Sequence, residues 1–171
     1  MIYTWPDFVG DKVHIAQSNN PYFTEDPWGK GLGVFALEKI KKGDDILLFT
    51  GPDIDFFHAV GKGLREGDPV QIKHDRYLDL FAPGVFVNHS CTPNAGIKDD
   101  FQLVALRDIP AGKEIFYDYS TTLDEQLWTM RCRCGEPSCR NRVEDFHLLP
   151  DEIRNRYLDL GIVQRFIAEQ Y

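Results

Sequence analysis

The four cysteines constrain the fold more than any other feature of the sequence. Three of them, Cys132, Cys134 and Cys139, form a C-x-C-x4-C knuckle, and the fourth, Cys91, lies far upstream. Four thiolates make one tetrahedral set, which Zn²⁺ binds at about 2.3 Å in closed structural sites. The spacing therefore predicts one structural zinc, with no histidine required as a ligand.

Two disulfides, or free buried thiols, are the alternative use of these cysteines. We disfavour disulfides because a C-x-C pair is poorly placed to bridge itself and because an intracellular chain stays reduced. Zinc binding has a geometric consequence, since it must draw Cys91 to the knuckle from far along the chain. Residues 88–91 and 130–143 are therefore predicted to form one site.

Length and composition indicate one folded domain. A chain of 171 residues can bury one hydrophobic core, and its 43% apolar and 27% charged residues are typical of globular proteins. The first residues lack a basic region followed by an apolar stretch, and no run approaches about 18 apolar residues. We expect an intracellular protein without a membrane span, placed in the cytoplasm, nucleus or nucleoid according to its source.

The formal net charge of -8 bears on the class of partner. Phosphate binding depends on clustered Lys and Arg, so the acidic balance disfavours nucleic acid as the main ligand, including a zinc-dependent nucleic-acid binder. The acidic groups favour a basic protein or peptide. They are scattered, however, so a solvated surface that aids solubility is an equal alternative explanation.

One pattern, L-x-x-I-x-x-G-x-x-I, occurs at residues 37–46 and again at 106–115. The central glycines, Gly43 and Gly112, supply the positive φ that a tight turn needs, so each copy predicts a turn that leads into a strand. The strands that follow are apolar without alternation. This pattern is typical of strands that are covered on both faces and lie near the centre of the fold.

The remaining segments predict only short helices. Residues 51–76 are rich in Gly, Asp and charge and are interpreted as an inserted loop or short helix. Near the end of the chain, Ile153, Tyr157 and Leu160 recur at helical spacing, and Gly161 stands where a C-terminal cap belongs. A helix followed by a short second piece is predicted there, in a fold that is otherwise mainly β.

Three separated motifs resemble those of one known family. K-G-L-G-V-F-A begins at Lys30, N-H-S-C begins at Asn88, and E-I-F-Y-D-Y begins at Glu114, all in family order and followed by the knuckle. Together they are similar to the SET domain of protein lysine methyltransferases with its post-SET zinc-binding segment. The likeness covers residues 28–143.

The resemblance implies a β-clip fold of small curved sheets, in which the N-H-S-C segment threads beneath a loop as a pseudoknot. It implies S-adenosylmethionine on one face and a lysine channel from the other, meeting at the methyl group. The implied divisions are an N-terminal flank at 1–27, a SET domain at 28–122, a post-SET zinc segment at 123–146 and a C-terminal helical appendage at 147–171.

Roles for individual residues follow from the same resemblance. Tyr119 is the implied catalytic residue, beside the methyl group, and Tyr117 acts with it at the end of the lysine channel. The implied channel also includes Phe49 and Tyr77. The implied cofactor-binding residues are Lys30, Gly31, Leu32, Asn88, His89, Tyr119, Met130 and Val143.

Several of these residues have an ordinary structural explanation when taken alone. Gly31 could be a hairpin glycine, His89 a core histidine and Tyr119 a buried tyrosine at a strand end. Met130 and Val143 could equally be packing residues. The combination of motifs, rather than any one of these residues, favours the functional interpretation.

Phe49 departs from the family pattern. Many members have tyrosine at this position, so amine orientation must depend on other hydroxyls, such as those of Tyr117 or Tyr77. The sequence therefore supports two hypotheses. The first is an active methyltransferase for a basic protein, such as a histone or histone-like protein, and the alternative is a weak or inactive zinc-stabilised interaction module.

Overall fold

The structure, a computed structural model, describes residues 11–18, 31–65 and 67–171. Its regular elements there are mostly short strands. In chain order the strands are β1 (Val13–Gln17), β2 (Leu32–Ala36), β3 (Asp45–Leu48), β4 (Asp53–Asp55), β5 (Val70–Lys73), β6 (Arg76–Leu78), β7 (Asn88–His89), β8 (Ala95–Lys98), β9 (Gln102–Ala105), β10 (Phe116–Tyr117), β11 (Met130–Arg131) and β12 (Arg142–Val143).

Helices are few and short in the described part of the chain. The α-helices are α1 (Phe56–Val60), α2 (Asp151–Leu160) and α3 (Arg165–Ala168), and 3-10 turns occupy Gly63–Arg65, Gly84–Phe86, Tyr119–Thr122 and Phe146–Leu148. The expectation of a mainly β chain with short helices is confirmed. Among the described residues, no helix is long and apolar enough to cross a membrane.

The strands form several small sheets rather than one large one. Antiparallel sheets have the orders β1-β2, β3-β9-β8, β4-β6-β5 and β11-β12, while β7 and β10 pair in parallel. That parallel pair aligns Asn88 with Phe116 and His89 with Tyr117, and so brings the second and third sequence motifs side by side. The threading of this segment as a pseudoknot stays a prediction of the resemblance.

The two copies of the repeated pattern meet in the structure. Ile40 and Ile109 exchange backbone hydrogen bonds of 2.9 and 2.8 Å, and both side chains are buried. Gly43 and Gly112 have φ values of 89° and 73°, as expected for these turns. The two copies of the pattern are therefore joined by an antiparallel bridge between Ile40 and Ile109.

The expectation that the strand after the first copy is covered on both faces is wrong for Leu48. Its side chain is 56% exposed, whereas those of Ile46 and Phe49 are buried. Leu48 is the last residue of β3, and the face toward which its side chain projects is open to solvent there. Residues 51–76, predicted as a loop or short helix, contain the short helix α1, but they also contain β4, β5 and the start of β6.

The C-terminal segment forms its own packed layer. Helix α2 ends at Gly161, whose φ of 63° gives the left-handed cap expected from the sequence. Phe146, Tyr157, Ile162 and Ile167 form the buried centre of this layer. A separate cluster contains Cys91, Cys132 and Val143, and the main core lies under the remaining sheets.

Candidate functional site

The four cysteine sulfurs converge on one point. All lie within 4.8 Å of one another, and Cys132 Sγ is 3.6 Å from the sulfurs of both Cys91 and Cys139. Tetrahedral Zn²⁺ with bonds of about 2.3 Å requires sulfurs about 3.8 Å apart. A disulfide requires about 2.05 Å, and all four cysteines are free. The donor set therefore fits zinc and not a pair of disulfides.

Backbone groups shape the cysteine cluster. Strands β11 and β12 pair on either side of the knuckle, and Gly135 turns the chain with a φ of 77°. The N–H of Arg140 points at Cys91 Sγ and that of Asn141 at Cys139 Sγ, each at 3.4 Å. Hydrogen bonds from Cys132, from His89 and from the Arg140 amide lower the pKa of the Cys91 thiol. A thiolate, the form that binds zinc, is thereby favoured.

Asn88 links the first two sequence motifs. Its side-chain amide donates to the carbonyl of Leu32 at 2.9 Å and to Glu114 Oε1 at 2.8 Å. An added Cβ at Gly33 would lie 2.2 Å from that same Glu114 oxygen, so a side chain there would collide with it. The glycine that this close packing requires is thus Gly33. Gly31 lies beside β1, where its carbonyl accepts from the amide of Ser18 at 2.8 Å.

His89 connects the cysteine cluster to Tyr119. The ring Nδ1 accepts from the Tyr119 amide at 3.2 Å, while Nε2 lies 3.4 Å from Cys91 Sγ. With Nδ1 as acceptor, the proton of a neutral ring belongs on Nε2. The rings of His89 and Tyr119 also meet edge to face, with centroids 5.3 Å apart. Both ring nitrogens are therefore engaged, which is consistent with a structural rather than a general-base histidine.

A narrow cleft of ≈ 40 Å³ opens beside Tyr119. Tyr117 and Tyr119 stand together in its wall, with ring centroids 4.8 Å apart. On the other side, the Tyr77 hydroxyl donates to the carboxylate of Glu125. Burial raises the pKa of all three phenols, with the Glu125 carboxylate adding to the rise at Tyr77. The hydroxyls therefore stay protonated near neutral pH. Those of Tyr77 and Tyr119 already donate, to Glu125 and to the Val87 carbonyl, and their oxygens can still accept a hydrogen bond.

Tyr119 joins the main core to the cysteine cluster. Its hydroxyl donates to the carbonyl of Val87 at 3.0 Å, and its ring packs against both hydrophobic clusters. Met130 and Val143 are paired across β11 and β12 in the same region. Val143 is fully buried against the cysteines, so it has at least a packing role.

Phe49 occupies a different place from the three tyrosines. Its ring is buried and meets Tyr117 edge to face with centroids 5.7 Å apart, and Gly84 packs closely on it. It supports Tyr117 from the core side and is outside the set of described residues that line the cleft. Lys30, expected to hold the cofactor, lies outside the described residues. The individual site assignments stay predictions.

Comparison with protein families identifies the domain. The family model described as SET domain matches residues 31–120, which is more than half of the chain. The chain belongs to the SET-domain family. The cysteine knuckle and both C-terminal helices follow the matched SET segment.

Named relatives carry the same domain. Over 126 residues the chain is 34% identical to the "Histone-lysine N-methyltransferase, H3 lysine-4 specific" of Schizosaccharomyces pombe, covering 64% of this chain and 14% of that protein. It is 30% identical over 128 residues to human "Histone-lysine N-methyltransferase SETD1A", covering 65% of this chain and 7% of the relative. The chain thus spans only a small part of the length of these relatives.

Solved structures share the SET fold. A structure of ctPRC2 in an autoinhibited conformation bound to S-adenosylmethionine has a TM-score of 0.54 at 20% identity, covering 68% of this chain and 16% of that one. The crystal structure of KRYPTONITE in complex with mCHH DNA, H3(1-15) peptide and SAH has a TM-score of 0.55 at 22% identity, covering 77% and 29%. At these identities the likeness establishes the fold.

Four residues around the SET site were missed by sequence reasoning. Glu125 and Trp128 line the cleft, but both lie in a segment without periodicity and left no usable signal. Asp118 was inside the quoted E-I-F-Y-D-Y motif and could have been singled out as an acid between two aromatics. Arg140, which pairs with it, follows the last cysteine of the knuckle.

Proposed function

We propose that this chain is an S-adenosylmethionine-dependent protein-lysine N-methyltransferase that acts on a basic protein, with a histone or histone-like protein as the favoured substrate. The observation that carries the proposal is the position of Tyr119. This residue lines the tyrosine cleft and also contacts His89, which adjoins the strip formed by Asn88 and Leu32. The cofactor strip and the lysine cleft of the family therefore have counterparts that meet at one side chain.

Four of the residues expected to hold the cofactor follow one another in contact. Leu32 and Asn88 are hydrogen-bonded, His89 follows Asn88, and His89 contacts Tyr119. When bound, S-adenosylmethionine supplies an electrophilic methyl group on sulfur. The task of the protein is then to align the lysine nitrogen with that group and to keep water out.

The lysine must lose its proton before it can attack. At pH 7.4, neutralising a lysine with the reference pKa of about 10.4 costs about 4 kcal/mol. The wall formed by Tyr117, Tyr119 and Trp128 lowers that cost, because it replaces water around the ammonium with aromatic surface. The tyrosine hydroxyls provide the few polar contacts that such a cleft needs to orient the nitrogen.

Acidic side chains surround the cleft and favour a basic substrate. Glu125, Asp75 and Asp145 act electrostatically on Tyr77, and Asp68 acts on Tyr119. A concentration of negative charge attracts a cationic segment and raises its association rate. The names of the histone-lysine methyltransferase relatives, and the H3 peptide in the KRYPTONITE structure, support the same substrate class.

The four cysteines would hold one structural zinc. Their role in the proposed reaction is indirect, since Cys91 directly follows the N-H-S segment that carries Asn88 and His89. A closed Cys₄ site fixes its loop without offering an open position for substrate. Zinc is accordingly assigned to the architecture of the site and not to the transfer step.

A methylation assay on the full chain tests the proposal. Purified protein is incubated with isotopically labelled S-adenosylmethionine and either core histones or a basic protein extract, and products are located by mass spectrometry. We expect methyllysine in at least one basic protein. Cofactor binding without transfer to any substrate would overturn the enzyme and favour the inactive interaction module. Protein that binds no cofactor would also overturn the enzyme and leave the interaction module standing.

A further inference from the structure

The carboxylate of Asp118 is a buried junction between three parts of the chain. It is almost completely shielded from solvent, at 1% exposure, between the two tyrosines of the E-I-F-Y-D-Y motif. Its Oδ1 accepts from Arg140 Nη2 at 2.8 Å, and Oδ2 accepts from the Tyr157 hydroxyl at 2.9 Å. The Ser120 amide donates to Oδ1 at 3.1 Å. A buried charge of this kind is tolerated only when its acceptor sites are filled.

The side-chain partners come from different elements, and besides Arg140 and Tyr157 they include His89, whose Nδ1 lies 3.5 Å from Asp118 Oδ1. Arg140 belongs to the cysteine knuckle, where its amide also points at Cys91 Sγ and its Nη1 lies 2.7 Å from Asp118 Oδ2. Tyr157 belongs to α2, which lies beyond the SET match of residues 31–120. One carboxylate thus links the knuckle, the motif that carries Tyr119, and the C-terminal helix.

The C-terminal layer is attached to the same turn by a second contact. The backbone N–H of Gln164, just before α3, donates to the backbone carbonyl of Thr121 at 2.9 Å. Thr121 belongs to the 3-10 turn that starts at Tyr119. This arrangement holds α2 in register with the turn, so that the Tyr157 hydroxyl reaches a carboxylate that is distant in sequence.

Removal of the Tyr157 hydroxyl would act on Asp118, and also on Arg156, whose side chain hydrogen-bonds to the same phenol. Oδ2 would lose its neutral donor, and the Arg140 guanidinium would be left as its remaining side-chain partner. Hydrogen bonds to a buried charge are interdependent, so a loss on one side changes the geometry on the other. Arg140 is adjacent to Cys139, and any shift in it reaches the cysteine cluster directly.

We propose that Tyr157 is a positioning residue of the active site: by donating to Asp118 it fixes Arg140 against the zinc cluster and fixes the turn that carries Tyr119. The C-terminal helix is therefore a working part of the zinc and cofactor site and not an appendage. This inference rests on the proposed zinc and cofactor site but requires no methyl transfer.

The test is the Tyr157→Phe variant of the full chain, which removes one oxygen and keeps the ring. Zinc release to a colorimetric chelator and S-adenosylmethionine affinity by calorimetry are measured for both proteins. We expect zinc release to be about tenfold faster and cofactor affinity to be lower, as befits the loss of a hydrogen bond to a charged group. Both measurements are independent of turnover.

The matched control is Ile167→Val, which removes one methyl group from the same buried layer without touching Asp118. It separates a general loosening of the C-terminal layer from a specific effect through the carboxylate. The thermal midpoint is recorded for each protein, and zinc release is measured at temperatures equally far below each midpoint, so that a general loss of stability does not affect the comparison. The control should release zinc at close to the wild-type rate.

A double-mutant cycle makes the assignment specific. Tyr157→Phe is combined with Arg140→Lys, which keeps the charge but loses the two-pronged contact. Because both side chains act through Asp118, the effects on zinc release should be clearly non-additive. Additive effects, wild-type zinc release in Tyr157→Phe, or an equal acceleration in Ile167→Val would each overturn the proposal. A wild-type chain that binds zinc and cofactor but transfers no methyl group would overturn the proposed enzyme and leave this inference standing.

Discussion

At the scale of single residues, the hydroxyl of Tyr119 is the group on which the proposed chemistry most depends. It donates to the Val87 carbonyl at 3.0 Å and lies where the cleft adjoins the cofactor strip. Tyr119→Phe removes this hydroxyl with little change in volume. We expect turnover to fall by about 100-fold, the scale seen for the loss of one oriented polar group in other active sites, because the hydroxyl oxygen would no longer accept from the lysine amine.

Cofactor affinity distinguishes this expectation from a packing role. If Tyr119 acts in the transfer step, turnover should fall by much more than the affinity for S-adenosylmethionine, which calorimetry measures. Tyr171→Phe, at a largely exposed tyrosine, is the matched control. Joint loss of binding, turnover and folded structure would instead assign Tyr119 to the core.

Tyr117 is expected to limit the number of methyl groups added. A phenol at the end of the channel can hold the amine or a water, and so occupies the space that a methylated amine needs. We expect mostly monomethyllysine with some dimethyllysine from the unmodified chain, and more of the higher products from Tyr117→Phe. Mass spectrometry of product peptides after long incubation measures this, and dominant trimethyllysine from the unmodified chain would contradict it.

Glu125 is expected to assist binding of a cationic substrate. Its carboxylate lines the cleft and accepts from Tyr77. Glu125→Gln should raise KM for a basic substrate by up to about fivefold, the range of a partly exposed ion pair, with a smaller change in kcat. Glu38→Gln has the same change in charge at an exposed turn position and is the control. An equal change in both variants would indicate only an effect of net charge.

At the scale of elements, the knuckle and the N-H-S-C segment are one unit. Cys139→Ser replaces one of the four converging sulfurs, so we expect loss of stoichiometric zinc. Because Cys91 anchors the segment of Asn88 and His89, cofactor affinity should weaken in the same variant. Metal analysis and calorimetry measure the two effects, and an unchanged affinity in the zinc-free variant would show that the sites are independent.

Some elements could be predicted because one local rule decides them. The turns at Gly43 and Gly112 and the cap of α2 at Gly161 each require a positive φ. Glycine adopts a positive φ readily, so its position in the sequence predicts these features. The cysteine spacing likewise fixed the partners of Cys91. The exposure of Leu48 could not be predicted, because it depends on which parts of the fold pack on each face of β3.

The parts of the site that could not be predicted depend on distant pairing. The Tyr77–Glu125 contact and the Asp118–Arg140–Tyr157 junction bring together residues from separate elements without any shared spacing. Tyr157 was identified only as one position of an amphipathic helix, where its ring would pack in any case. The hydrogen bond from its hydroxyl to Asp118 depends on the tertiary structure, so no periodicity in the sequence could reveal it.

At the scale of the whole molecule, zinc is expected to contribute to global stability. The cluster joins residue 91 to the segment 132–139, and its removal frees both to move apart. Treatment with a strong chelator should lower the thermal midpoint by roughly 10 °C, which corresponds to a few kcal/mol for a chain of this size. Differential scanning calorimetry measures this shift.

The Cys139→Ser variant controls for effects of the chelator itself. It should already melt at the lower temperature, and chelator should change it little. A chelated wild-type chain with an unaltered midpoint would place the stability of the fold in its hydrophobic clusters alone.

The pairing of Cys91 with the distant knuckle also sets an order of events during synthesis. Cys139 is made 48 positions after Cys91, since 139 − 91 = 48. At typical elongation rates of about 5–20 residues per second, the Cys91 thiol exists for about 2–10 s before Cys139, the last of its partners, is made. Tyr157 follows 18 positions after Cys139, since 157 − 139 = 18. On the ribosome, the metal site can therefore close only after the whole SET segment of residues 31–120 has been made, and until then Cys91 is a thiol without its zinc-binding partners that an electrophile or oxidant can modify.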